Sequence, residues 1–246
     1  MKTKKQLNIT LLAVYTATVI LVSFVLGPLF AKLDSNTLTQ GSILTVLIYY
    51  VIKAINFLIY PIVISLTIYS VYKYTLGGNK AILAISLACT LVRYSIDVII
   101  NLFSESVTSV SLLSTIIYTL IDFVIIFVTA IFAENLITPR LEADKIQAKA
   151  SKALNVDYEQ KTYLPFGSLF DFDNPVLRSA MIGSVCVTVL QVISRIRYDV
   201  MLGAPQSIID GLGMVLAYLG DLVLGVITFL AIIFLLLSYI PKNETK

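Results

Sequence analysis

The chain contains no histidine. That removes histidine-based catalytic triads, histidine-ligated zinc and imidazole proton relays. Cysteine is limited to Cys89 and Cys186, each inside an apolar run. No disulfide framework follows from such a pair, and both read as small buried hydrophobes. Tryptophan is absent, so an aromatic belt at a membrane surface must be built from tyrosine and phenylalanine. Charge is scarce: 13% of the 246 residues are Asp, Glu, Lys or Arg, against about 25% in soluble domains. The formal net charge of +3 is too small to point to nucleic acid. Catalytic and cofactor motifs are missing as well. Gly211-Leu-Gly213 is an isolated glycine pair and reads as a helix start, and no G-x-S-x-G nucleophile or cluster of metal ligands occurs. No cofactor and no metal is expected, and the residues give no ground for an enzyme.

What the chain does have is apolar length. Hydrophobic residues make up 58% of it, more than a soluble fold of this size can hide, so the expected solvent is lipid. Six apolar runs are present, at about 9–30, 42–72, 81–103, 112–137, 176–200 and 210–240. Each is long enough to cross a hydrocarbon core about 30 Å thick. The first follows the basic start Lys2-Thr-Lys-Lys5, as a signal peptide would, but it is long and lacks a small-residue cleavage site. An uncleaved first helix is the preferred reading. Pro61 marks a kink candidate in the second run.

Only one long polar segment occurs, 139–175. Its first part, Pro139 to Leu154, reads as a charged helix with Leu141, Ile146 and Leu154 as a sparse apolar edge. Its aromatic part, Tyr163 to Phe172, is expected at the headgroup level. Asp173 or Asn174 should cap a helix beginning at Pro175. Lysine and arginine set the orientation. Lys2, Lys73, Arg140, Lys149, Lys161 and Lys242 are among the many on one side, whereas Lys32, Arg195 and Arg197 fall on the other. The expected fold is therefore an all-α, polytopic integral membrane protein of the cell membrane. Its six transmembrane helices would form three in-out-in hairpins, with both termini and the 139–175 loop cytoplasmic.

The third run breaks the apolar pattern most informatively. Arg93 and Asp97 lie four residues apart, and Ser86, Thr90, Asn101 and Ser104 continue the same helical face. A charge at the bilayer centre costs about 2.5–3.5 kcal/mol on insertion scales, so this face should meet protein or water. Lys53, Asp122 and Asp221 interrupt other runs, and all three fall about 16 Å along their helices at 1.5 Å per residue. A tyrosine precedes each by one turn, Tyr118 and Tyr218 among them. Asp122 and Asp221 are candidates to face one another. Arg195 and Asp199 lie nearer the outer end of the fifth run.

The third and fifth runs also align with each other. An offset of 98 matches Ser86 with Ser184, Thr90 with Thr188 and Asn101 with Asp199. One residue of slippage then brings Asp122 onto Asp221. A rival offset of 102 matches Arg93, Asp97 and Val98 with Arg195, Asp199 and Val200. Either register describes a parallel repeat of helices 3–4 and 5–6.

Three functions fit these residues. The first is a translocation subunit for an ion or small solute. Its pathway candidates are Lys53, Arg93, Asp97, Asn101, Asp122, Arg195, Asp199, Asp221, Tyr118 and Tyr218. Six helices are few for a complete transporter, so a homo-oligomer or a membrane-complex partner is expected. The second is a non-catalytic structural or accessory membrane subunit, with the same charges holding helices together. The third, with least support, is an intramembrane aspartyl protease. Tyr198-Asp199 and Leu219-Gly220-Asp221 resemble the Tyr-Asp and Gly-x-Gly-Asp pairs of presenilin-like proteases. That resemblance implies two catalytic aspartates sharing a proton. Tyr218 stands where the first glycine of that motif would be, and no Pro-Ala-Leu element is present.

Overall fold

The computed structural model describes residues 12–13, 15–17, 20–21, 43–74, 78–103, 109–154, 156, 161, 163–164, 166–203 and 208–239. Among these there is no strand. Five long helices are α1 (Ile43–Tyr74), α2 (Asn79–Phe103), α3 (Ser109–Leu154), α4 (Pro175–Leu202) and α5 (Ile208–Ser238). They account for the second to sixth apolar runs. Of the first run, 12–13, 15–17 and 20 are helical, and the rest lies outside the described residues. So do residues 104–108, 204–207 and 240–246. Three segments among the described residues are long and apolar enough to cross a membrane: Thr119–Leu154, Pro175–Arg197 and Ile209–Ser238.

The chain divides into two compact units, Met1–Val63 with Leu76–Phe127, and Ile64–Thr75 with Val128–Lys246. The first has its described core on α2 and the early part of α3. Ile82, Ile85 and Cys89 are buried at helical spacing with Ser86 and Thr90, so one stripe of α2 turns inward. On α3 the inward residues are Asp122, Ile125 and Ile126. Phe123 and Phe127 stack one turn apart, with ring centroids 5.3 Å apart.

In the second unit Ile64, Ile68 and Val71 of α1 are fully buried, as are Ala130, Ala133 and Ile137 of α3. From α5, Phe229, Ile233 and Leu237 complete one stripe. The helices approach closely through glycine. A Cβ on Gly183 would lie 2.8 Å from Ile64 Cγ2, and one on Gly225 would lie 2.6 Å from Thr188 Cγ2. Both distances are too short for any side chain, so hydrogen at these positions sets the helix spacing, as small residues do in membrane bundles. α4 and α5 pack together along their length. Thr188 meets Gly225, Arg195 meets Asp221 and Asp199 meets Tyr218. Numbers rising on one helix and falling on the other make the pair antiparallel.

The start of α4 follows from its sequence. Asn174 Oδ1 accepts from Val176 N at 3.0 Å, and Pro175 occupies the first turn, where its missing N–H costs nothing. Of the two cap candidates, Asn174 is the one used. At the other end Gly203 adopts φ +139°, a conformation that side chains resist.

The 139–175 segment differs most from its expected form. It does not begin with a separate helix, because α3 runs unbroken from Ser109 through Pro139 to Leu154. Proline removes one backbone hydrogen bond from a helix interior. Pro139 is exposed, and so is Asn135, whose carbonyl loses that bond. Along the apolar edge Leu141 is half-buried, whereas Ile146 and Leu154 are exposed. The buried residue of this stretch is Asp144. Its Oδ2 accepts from Tyr163 Oη at 2.9 Å, and Tyr72 hydrogen-bonds to the Tyr163 backbone. Asn174 Nδ2 donates to the Tyr163 carbonyl at 3.0 Å. One tyrosine thus ties α3, the following loop and the cap of α4 together. The aromatic segment is split between buried and exposed side chains. Leu164 and Phe166 are buried, with Phe166 stacked on Phe234 at 5.2 Å, while Phe170 and Phe172 point outward.

Two predictions follow from this packing. Gly225→Ala should destabilise the protein by about 1–3 kcal/mol, the usual cost of overpacking. Thr188→Ser, which deletes the Cγ2 that the new methyl meets, should restore most of the thermal midpoint lost. A midpoint unchanged by Gly225→Ala would show that the contact is slack. Tyr163→Phe should leave Asp144 short of a donor at a cost of about 1–3 kcal/mol. It should also speed tryptic cleavage after Lys161, followed by mass spectrometry. Cleavage at the wild-type rate would mean that the tyrosine does not hold the loop.

Candidate functional site

The described polar side chains of the helices concentrate in two arginine–aspartate arrangements, one in each unit. On α2 the hydroxyl of Thr90 turns back on its own helix and bonds the Ser86 carbonyl. Arg93, three residues on, cannot be satisfied that way and reaches across to α3. Its Nη1 donates to Asp122 Oδ2 at 2.9 Å. Tyr15 Oη, from the first apolar run, donates to the same oxygen at 3.1 Å. Asp122 is 5% exposed and Arg93 20%. This is a closed, charge-assisted triad. Such a pair contributes little net stability, yet removing one partner strands the other charge.

The second arrangement is open. Arg195 on α4 donates from Nη1 to Asp221 Oδ2 on α5. Its Nε also lies 3.7 Å from Asp199 Oδ2, one turn along its own helix. Tyr218 Oη donates to Asp199 Oδ2 at 2.9 Å. The Arg195 guanidinium sits over the Tyr218 ring, 5.9 Å from its centroid. Arg195, Asp199 and Tyr218 close a ring of contacts that Asp221 joins through Arg195, yet Arg195 is 50% exposed and Asp221 39%. Two carboxylates share one guanidinium, so these groups sum to one negative charge.

Thr188 and Ser184 repeat on α4 what Thr90 and Ser86 do on α2, at 2.8 Å. The hydroxyl pairs therefore correspond at an offset of 98, whereas the arginines that bridge to the next helix correspond at 102. Arg93 follows Thr90 by three residues and Arg195 follows Thr188 by seven, so both arginines lie near the same face, one turn apart. Asp122 and Asp221 each lie thirteen residues into their helices, counted from Ser109 and Ile208, or roughly 20 Å.

Of the pathway candidates, Arg93 and Asp122 are brought together, and so are Arg195, Asp199, Asp221 and Tyr218. Asp122 and Asp221 are each engaged by an arginine of their own unit. Tyr218 bonds Asp199 and not the aspartate one turn after it. The side chains of Lys53, Asp97, Asn101 and Tyr118 lie outside the described residues. Tyr15 was missed by sequence reasoning. Its only signal is a hydroxyl inside the first apolar run, which a lone tyrosine in such a run does not make specific. Asp144 was missed because it reads as one charge among many in a polar helix.

The arrangement limits the chemistry. One guanidinium lies against both Asp199 and Asp221. Among the described residues no group of three His, Cys, Asp or Glu is placed to hold a metal ion. Cys89 and Cys186 are free thiols.

No family model, curated protein or solved structure matches this chain.

The closed triad yields a double-mutant test. Asp122→Asn and Arg93→Gln should each cost about 3–5 kcal/mol, because each removes one charge of a buried ion pair. The double variant should recover much of that loss, giving a coupling energy well above the about 0.5 kcal/mol expected for independent sites. Additive losses in thermal or denaturant unfolding of the detergent-solubilised protein would show that the pair is not coupled.

Proposed function

We propose that this chain is a multi-pass membrane subunit that translocates an ion or small solute, with Arg195, Asp199, Tyr218 and Asp221 as its exchangeable site. The observation that carries this reading is the exposure of Arg195 and Asp221 on helices long and apolar enough to cross a membrane. A charge facing hydrocarbon is costly at this depth, and intramembrane ionisable groups characteristically line hydrated or ligand-bearing cavities. The net negative charge of the cluster suits a cation or a proton. A cation entering between Asp199 and Asp221 competes with Arg195, and the aromatic face of Tyr218 offers the arginine a resting place while it is displaced. The buried Arg93–Asp122–Tyr15 triad is read as the fixed counterpart, holding helices rather than ligand. Six spans, paired hairpins and termini on the cytoplasmic side of the cell membrane complete the reading, supported by the run lengths and by lysine and arginine placement.

A second reading has its own observation. The first half of α5 leaves Ile209, Leu212, Leu216 and Leu224 largely uncovered, as a helix would when it meets lipid or a neighbouring membrane subunit. In an accessory subunit the open cluster would be closed by a partner instead of water.

Thiol labelling separates the two. Cys89 and Cys186 are replaced by alanine, and single cysteines are placed at Tyr218 and Ala217 in protein reconstituted into liposomes. Translocation predicts labelling by a membrane-impermeant thiol reagent from at least one side. It also predicts that Asp221→Asn, in protein that keeps its thermal midpoint, lowers cation or proton flux about tenfold or more. Protection from both faces together with flux at the level of empty liposomes would remove the translocation reading and leave the accessory one.

A further inference from the structure

Residues 139–154 of α3, past its apolar run, present three distinct faces. At 100° per residue, Leu141, Asp144, Ala148 and Ser151 share one sector, and these are the buried or half-buried positions. Lys145, Lys149 and Lys152 share a second, and all three are exposed. A third holds Ala143, Ile146, Ala150, Ala153 and Leu154, also exposed. Ile146 is 68% exposed and Leu154 74%. The first sector is explained by the Tyr163 contact. The other two have no described use within the chain.

Burial of Asp144 changes the charge that this helix displays. Its carboxylate is turned inward onto Tyr163, so Glu142 is the one acid left outward against Arg140, Lys145, Lys149 and Lys152. None of the three lysines forms an ion pair with a described residue. A basic stripe beside an apolar one is the pattern of an amphipathic helix that binds either an anionic membrane surface or an acidic helix.

Continuity of α3 favours the second. Within the second unit the helix runs from Val128 to Leu154 without a break. The stretch after Thr138 extends for roughly 24 Å. Lying flat on the membrane would require a break near a right angle, yet the backbone stays helical across Pro139. A helix that continues its own span stands away from the headgroups, and so do its lysines.

We infer that residues 139–154 form a docking surface for an acidic amphipathic helix of a partner protein. Ala143, Ala150 and Ala153 are small enough for a second helix to approach closely, with Ile146 as the knob that enters it. The partner would carry an apolar stripe flanked by Asp or Glu facing Lys145, Lys149 and Lys152. Charge complementarity of this kind governs encounter rate and register, and it weakens with salt.

The test uses full-length protein in nanodiscs and a labelled synthetic peptide with a leucine stripe flanked by glutamates. Fluorescence anisotropy should show saturable binding that weakens about tenfold or more at high salt. The triple change Lys145→Glu, Lys149→Glu and Lys152→Glu should weaken it to a similar degree, as should Ile146→Asp, with thermal midpoints retained. These residues are exposed, so folding should survive, and the Ile146 variant tests the apolar stripe separately from charge. Equal binding of a scrambled peptide, or none of the acidic one, would overturn the inference. A fluorophore on Ala150→Cys, in protein lacking Cys89 and Cys186, reports the competing case. Quenching by brominated anionic lipid would place this face in the membrane and overturn the inference as well.

Discussion

A charge removed from water needs a counter-charge, and in apolar surroundings the requirement tightens with depth. Arg93 meets it through Asp122, with Tyr15 on the same oxygen. Arg195 meets it through Asp221 and Asp199. Because an arginine has no acceptor to offer and cannot lose its proton, it must find an anion on a neighbouring helix or turn of helix. That need fixes which helices approach and where along their length. It also separates the two arrangements. Where the pair is closed, its free energy is spent on position. Where it is open, the same groups remain available to something outside the chain.

Around these pairs the smaller polar groups look after themselves. Ser179, Ser184, Thr188, Ser194, Thr228 and Ser238 each donate to a carbonyl one turn back on their own helix. A hydroxyl satisfied within its helix adds no polarity to the surface it presents. It can then sit beside glycine at a close contact, as Thr188 does beside Gly225. The second unit is therefore tightly fitted at Gly183 and Gly225, with its charged cluster at the less covered part of the α4–α5 pair. A rigid frame with an open polar patch is what a binding site on apolar helices requires.

Asp144 shows how one buried acid redirects a surface. Charged residues surround it on α3, yet it alone of them is withdrawn, because Tyr163 supplies a donor and Asn174 anchors the backbone that carries Tyr163. The loop closes on one side of the helix, and the lysines stay on the other. Packing and display are thus coupled: the contact that orders the loop also leaves the outward face basic.

How much could be read from the residues depended on range. Apolar runs, the cap at Asn174 and Pro175, and the inward stripe of α2 are local consequences of composition and helical period, and each was legible. So was the set Arg93, Asp122, Arg195, Asp199 and Asp221, since a charge in an apolar run stands out whatever surrounds it. Pairing was not legible. Arg93 bonds Asp122, twenty-nine positions on, and no local spacing points to that residue. The passage of α3 through Pro139 also escaped a reading in which proline ends a helix, as did the inward turn of Asp144. By itself the sequence determined which side chains could not be left alone in an apolar setting, because that follows from the chemistry of each residue. The tertiary structure decided which partners they take and which remain open, because that depends on where helices distant in sequence come to lie.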